Sequence, residues 1–267
     1  MTVFAISVSR DHKWIVCGTV GAGVVVWDGE MQDKVRVIDV EGENMVDAVD
    51  VSPDSTRFAT GTRTVGASVW SVTNGERLVG PLKHENDVNG VRFSPPGDRI
   101  ATACYSGIRI FDSHTGDQLL AIEITMHNYG AITPLAWSSD GQQIFATSED
   151  KKIRSFNVST GSLLVESQIL HDGHDNVHSI ALAANGKFIA TFADRTISLL
   201  DTSTLTRIVP VFEDSEQIWS LTISPDSSYL ATGRRDGKIV IRDLGKIIPD
   251  VYGPLNVSIC AFILLAC

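Results

Sequence analysis

Apolar residues in this chain alternate with polar ones or gather in short runs rich in Val, Ile, Thr and Phe, and Gly, Pro, Asp and Ser break the runs. Period-two patterning bounded by turn residues is a strand signal, and no stretch sustains a helical period. Between Val46 and Leu82 the pattern predicts four strands: a over Val46–Ser52, b over Arg57–Thr62, c over Ala67–Val72 and d over Arg77–Leu82. SPDS separates a from b and TNGE separates c from d. Asp, Asn and Gly supply the backbone angles that such turns need.

The same texture returns along the chain. VDAVDVSPDSTRFATGTRTVGASVW (Val46–Trp70) has counterparts beginning at Val3, Val88, Ile132, Val177 and Ile218. With the first residue of the SPDG-like turn as marker, the positions are Ser9, Ser52, Ser94, Ser138, Ala183 and Ser224, at intervals of 43, 42, 44, 45 and 41 residues. Tandem units of this period, each with four short strands, predict sheets repeated radially as blades.

The pattern resembles the WD40 family over nearly the whole chain, with a worn signature. The Trp-Asp dipeptide stands only at Trp27-Asp28; the other units end strand c in Trp70-Ser71, Phe111-Asp112, Phe156-Asn157, Leu200-Asp201 and Arg242-Asp243. The resemblance implies an all-β propeller and a structural tetrad of His, strand-b Ser or Thr, turn Asp and strand-c Trp. Units with the Asp (Asp150, Asp194, Asp236) lack the Trp, and those with Trp27 or Trp70 lack the Asp. The fourth unit comes nearest with His127, Ser148, Asp150 and Phe156, but Phe has no indole N–H to donate. Apolar packing is therefore expected to outweigh the polar network.

Six complete four-stranded repeats occupy residues 1–256, starting near 3, 46, 88, 132, 177 and 218, and 257–267 reads as strand a of a truncated seventh. Family propellers commonly have seven blades closed by strands from opposite ends. A chain that starts at strand a and stops after a lone strand a reads as cut from a larger propeller protein. Its texture is similar to that of divergent fungal propellers fused behind nucleotide-dependent switch modules.

Composition narrows the function. The net charge is -10, and an acidic surface offers no basic stripe for phosphate backbones, so nucleic acid is not an expected partner. Four cysteines without a CxxC pair fit a reducing compartment. No basic leader opens the chain, and the apolar tail Val257–Cys267 is too short to span a bilayer. The expected location is intracellular, cytoplasmic or nuclear, with no membrane association and no assignable oligomeric state.

Catalytic patterns are missing: no GxSxG, HExxH or Walker loop occurs. GTVGAG (Gly18–Gly23) sits between strands b and c with no helix after it and reads as a turn. HDGHDNVH carries His171, His174 and His178 with Asp172 and Asp175. Its position between strands d and a favours a structural Gly-His over a metal site, so neither metal nor cofactor is expected.

The d-to-a connections collect Asp39, Glu41, Glu43, Glu85, Asp87, Asp172, Asp175, Glu213, Asp214 and Glu216. They are either a solvated loop set or an acidic mouth that steers a basic peptide. One column stands beside them: Phe4, Asp47, Asn89, Thr133, His178 and Trp219 follow the first apolar residue of each strand a. Period two points this column away from its apolar neighbours, to the rim of a central channel. Aromatic rings next to acid suit a Lys or Arg side chain. The expected function is a non-catalytic interaction scaffold binding a protein or basic peptide through Phe4, Asp47, Asn89, Thr133, His178, Trp219, Glu85, Asp87, Asp214 and Glu216. The alternatives are an enzymatic propeller with its site in the channel mouth, or a non-functional fragment.

Overall fold

A computed structural model describes residues 2–31, 33–40, 45–64, 66–124, 134–147, 150–168, 177 and 179–248. Glu41, Glu43, Thr133, His178, His127, Ser148, the His171–Asp175 stretch and the 257–267 tail lie outside those residues.

The sheets are antiparallel meanders in chain order. The first is β1 (Thr2–Val8), β2 (Trp14–Val20), β3 (Val24–Asp28) and β4 (Lys34–Ile38), and the second is β5 (Val46–Val51), β6 (Arg57–Thr62), β7 (Ala67–Ser71) and β8 (Arg77–Leu82). The third is β9 (Val88–Phe93), β10 (Arg99–Cys104), β11 (Gly107–Asp112) and β12 (Gln118–Glu123). The fourth is β13 (Leu135–Trp137), β14 (Gln143–Thr147), β15 (Ile153–Asn157) and β16 (Leu163–Glu166), and the fifth is β17 (Ser179–Leu182), β18 (Phe188–Ala193), β19 (Thr196–Asp201) and β20 (Phe212–Glu213). The sixth has three strands among the described residues, β21 (Ile218–Ile223), β22 (Tyr229–Arg234) and β23 (Ile239–Asp243), followed by a one-turn helix α1 (Leu244–Ile247).

Two compact units make up the chain: Met1–Leu135 with Ser159–Gly161, and Ala136–Val158 with Ser162–Cys267. In the first unit, Val16, Val24, Val26, Val46, Val49, Phe58 and Trp70 form one buried cluster between the first and second sheets. Val69, Val79, Val88, Val91, Ile100 and Phe111 form another between the second and third. In the second unit Phe188, Phe192, Leu199, Leu221, Leu230 and Leu244 pack the fifth sheet against the sixth. Strands buried on both faces read as near-continuous apolar runs, as these do.

Five of the a-to-b turns share one device, which Ala183 cannot supply in the fifth sheet. The hydroxyl of the marker serine accepts the N–H of the first strand-b residue: Ser9 from Trp14 at 2.9 Å, Ser52 from Arg57 at 3.0 Å, Ser94 from Arg99 at 3.0 Å, Ser138 from Gln143 at 2.8 Å and Ser224 from Tyr229 at 2.9 Å. Gly21 and Gly23 take positive φ (80° and 67°) between the antiparallel strands β2 and β3, so GTVGAG forms a hairpin turn.

Candidate functional site

Each strand a that is described over its first residues carries a β-bulge, and the bulged residue is the column singled out above. Val3 pairs with Thr19 and Ala5 with Gly18, skipping Phe4; Val46 pairs with Thr62 and Ala48 with Gly61, skipping Asp47. Val88 pairs with Cys104 and Gly90 with Ala103, skipping Asn89; Ile218 pairs with Arg234 and Ser220 with Gly233, skipping Trp219. A bulge lifts one residue out of the ladder and re-aims its side chain. The column was found by assuming strict alternation; the extra residue in each strand is what sets it apart. Trp219 is 68% exposed and Phe4 54%, while Asp47 and Asn89 are half-buried.

Several acidic side chains near the b-to-c turns pair with basic residues of their own sheet. Asp47 accepts from Arg63 Nε at 3.0 Å, and Asp87 also acts on the Arg63 charge. Asp194 faces Arg195 at 3.7 Å, and Asp236 faces Arg234 at 3.0 Å and Lys238 at 3.5 Å. Asp150 is paired with Arg154, which also reaches Glu166 at 2.6 Å. The turn arginines were missed because only the d-to-a connections were weighed, although the b strand ends beside the start of strand a. Glu85, Glu213 and Glu216 remain exposed.

Asp214 leaves the rim set: its side chain is 2% exposed and it pairs with Arg242 and with Arg234, the latter at 3.4 Å. Burial alone would raise its carboxyl, but the hydrogen bond and charge of Arg242, the Glu216 N–H and Arg234 outweigh it and hold the pKa below the ordinary value.

The tetrad columns survive as partial networks. In the second sheet, Trp70 Nε1 donates to Thr60 Oγ1 at 3.0 Å. At the third sheet, His84 Nδ1 contacts the Leu82 carbonyl at 2.7 Å and Nε2 contacts Thr102 Oγ1 at 2.8 Å, with the ring edge-on to Phe111 at 5.5 Å. A carbonyl only accepts, so Nδ1 carries the proton and Nε2 receives the threonine hydroxyl. Burial lowers the His84 pKa more than the Leu82 bond raises it, and Arg109 lowers it further.

In the sixth sheet, Arg242 occupies the Trp column and donates to Thr232 Oγ1 at 2.9 Å, with Asp214 where His84 stands. Phe156 is buried, and Trp27 is half-buried against Ile15, Cys17 and Val25. His84 was overlooked in KHENDV, and a threonine eighteen positions on in the strand-b column was the available signal.

The inner strands of the first unit are stitched by polar side chains. Asp50 accepts the Phe93 N–H at 2.8 Å beside Arg92 at 3.6 Å, and Ser7 Oγ accepts the Val51 N–H at 3.1 Å. Burial pushes the Asp50 carboxyl up against the pull of Arg92, Phe93, Ser7 and Arg10. Among the described residues no group of His, Cys, Asp and Glu is placed to hold a metal ion, and no helix is long and apolar enough to cross a membrane.

The family model described as "WD domain, G-beta repeat" matches residues 76–112, 120–157, 166–201 and 207–243, over half of the chain. The chain therefore belongs to the WD40 repeat family. The first matched stretch starts at β8 and ends with β11, so one sequence repeat joins the outer strand of one sheet to the inner three of the next.

The chain is 23% identical over 248 residues to the U3 small nucleolar RNA-associated protein 15 homolog of Xenopus tropicalis, covering 88% of this chain and 47% of that one. It is 30% identical over 172 residues to WD repeat-containing protein 1 of Gallus gallus, covering 60% of this chain and 27% of that one. It thus spans about half or less of these relatives. The solved β-propeller domain of Myceliophteria thermophila Cps50 (Swd1) is similar with a TM-score of 0.78 at 18% identity, covering 91% of this chain and 83% of that one. That likeness shows the fold, a β-propeller.

Proposed function

We propose that this chain is a non-catalytic interaction platform that holds a partner peptide on the bulged ends of its inner strands. Propellers of this family generally serve as protein-interaction scaffolds. The observation that carries the finer reading is Trp219, 68% exposed and set on a bulge three residues after exposed Glu216. A large aromatic left in water on a fixed backbone is the anchor type that dominates interface energies. The indole face and nearby carboxylate suit a Lys or Arg of the partner. Phe4, Asp47, Asn89, Glu85 and Asp87 form the corresponding surface of the first unit, with Thr133 and His178 completing the column in sequence. In the first unit Asp50 and Ser7 of the inner strands accept neighbouring backbone N–H groups, a structural use that supports binding over catalysis. The acidic net charge favours a protein partner over nucleic acid, and a relative whose name places it with a small nucleolar RNA supports an intracellular setting.

The test is fluorescence polarisation against basic, neutral and acidic peptide pools at low and high salt. Basic peptides should bind best, with association weakened by salt, because exposed charges are screened over roughly 8–10 Å. Trp219→Ala should weaken that binding by about 1–2 kcal/mol. Equal binding of acidic peptides, or affinity indifferent to salt, would show a merely solvated rim.

A further inference from the structure

Two junctions between neighbouring sheets are built on one plan, and the second lacks a side chain that the first contains. In the first unit Arg57, at the start of β6, reaches across to the third sheet. Its Nη1 donates to the Ser113 carbonyl and hydroxyl, both at 3.1 Å, and its Nη2 donates to the Gly97 carbonyl at 3.0 Å. Asp54 lies 4.0 Å from the guanidinium, which sits over the Phe93 ring at 5.6 Å.

Counted from the marker residues of the turns, the second unit places Gln143 at the Arg57 position, Asp140 at Asp54, Gly186 at Gly97, Thr202 at Ser113 and Leu182 at Phe93. The frame is reproduced bond for bond. Ser113 Oγ donates to the Gly97 carbonyl at 2.7 Å, and Thr202 Oγ1 donates to the Gly186 carbonyl at 2.7 Å. Gly97 and Gly186 share positive φ (81° and 69°), and a Cβ on either would press on the same turn position, Pro53 or Ser139.

Where the first unit has a guanidinium, the second has an open cavity of about 170 Å³. Asp140, Gln143, Phe145, Leu182, Gly186 and Thr202 are among its lining. At the corresponding strand position of the other junctions inside the units stand Trp14 and Phe188, both packed in apolar clusters. Gln143 is shorter than either and shorter than Arg57, which accounts for the space.

We infer that this cavity is a guanidinium site that accepts an arginine side chain carried by a partner chain. The Gly186 and Thr202 carbonyls and the Thr202 hydroxyl are the counterparts of the acceptors that hold Arg57, and Asp140 supplies the charge that Asp54 supplies there. A planar fork of donors fits this acceptor set, whereas an ammonium presents a point charge. Phe145 and Leu182 give apolar lining for the planar faces and the methylene stem. The cavity lies at the a-to-b and c-to-d turns, at the strand ends away from Trp219, so it is separate from the proposed rim site.

Isothermal titration of the full chain with Nα-acetyl-arginine amide, its citrulline and lysine analogues, and free L-arginine tests the assignment. The arginine amide should bind saturably, with the citrulline and lysine analogues at least about tenfold weaker, since a charge-assisted pair contributes roughly 1.5–3 kcal/mol. Gln143→Arg should fill the cavity from within, abolish that binding and raise the melting temperature. Asp140→Asn, an exposed turn position, should weaken the arginine amide about tenfold if a charge-assisted contact is lost. Binding that persists in Gln143→Arg, equal binding of citrulline, or binding of free arginine alone overturns the proposal. If Gln143→Arg fails to fold, an Asp140→Asn protein that binds as well as the parent overturns it equally.

Discussion

The second and sixth sheets solve one structural problem with opposite chemistry. In the second, the strand-c Trp70 is 5% exposed, stacks on Phe58 at 6.4 Å and gives its indole N–H to Thr60. In the sixth, Arg242 stands in that position, gives a guanidinium N–H to Thr232, sits over Phe212 at 5.8 Å and pairs with buried Asp214. The threonine acceptor is kept, and the donor changes from neutral to charged. A cation drawn largely out of water needs an anion beside it, so the Trp-to-Arg change is matched by an Asp where the third sheet has His84. The sheets also differ at their edges. β8 covers β7, whereas no described strand covers β23, and Ile241 is 42% exposed while its counterpart Val69 is buried. An arginine tolerates that wetter edge better than an indole in a dry slot.

The most disruptive way to break the comparison is Asp214→Ala, which leaves Arg242 and Arg234 without their shared carboxylate. Removing one partner of a buried pair costs about 3–5 kcal/mol. The urea midpoint should fall accordingly. If the ion pair merely replaces the neutral network, Asp214→His with Arg242→Trp should recover part of that loss; a double variant no better than Asp214→Ala alone would show that the sixth sheet depends on the charges themselves. Next in size is Trp70→Phe, which keeps the ring packing and removes the N–H donor to Thr60. An unmet buried hydroxyl acceptor and a smaller ring should cost about 1–3 kcal/mol, read by the same unfolding curve.

The second sheet was readable because its turns announce it: SPDS and TNGE bracket strands whose observed limits match the pattern for β6 and β8 and end one residue sooner for β5 and β7. The charged network in the sixth was not. Asp214 lies among exposed acids in EDSEQI and reads as one of them, since charge says nothing of burial without a partner. The partner is 28 residues away in Arg242-Asp243, read only as a worn Trp-Asp. The bulges escaped for another reason: an inserted residue in strand a leaves no mark in a pattern scored for strict alternation. The rim column follows from its place directly after the first apolar residue of each strand a, whatever lifts it.

Acid sensitivity sharpens the comparison further, because Asp50 of the second sheet and Asp214 of the sixth shift in opposite directions. The ordinary carboxyl value is about 3.9. Asp214, held below it when folded, adds stability that is present above that value and lost as pH falls through the lower folded pKa. Asp50, raised when folded, binds its proton more tightly in the native state, so its contribution declines as pH rises from about 3.9 through the folded pKa. Asp50→Asn should therefore be no less stable than the parent near neutral pH, with any advantage shrinking toward pH 4. A variant advantage that grows on acidification reverses the assigned sign.

The smallest effect on stability belongs to a second tryptophan. Trp219→Ala removes as much side chain as Trp70→Ala would, but from a bulge where most of the indole already meets water. Burial, not residue type, sets the cost: a buried Trp→Ala loses about 3–5 kcal/mol, whereas an exposed position away from packed groups stays within about 0.5 kcal/mol. Equal unfolding midpoints for Trp219→Ala and the parent, beside a large drop for Trp70→Ala, would show that the chain does not need the rim indole in order to fold. A drop of 2 kcal/mol or more, on the order of a core truncation, would mean that Trp219 packs against the protein and would remove it as an anchor for a partner.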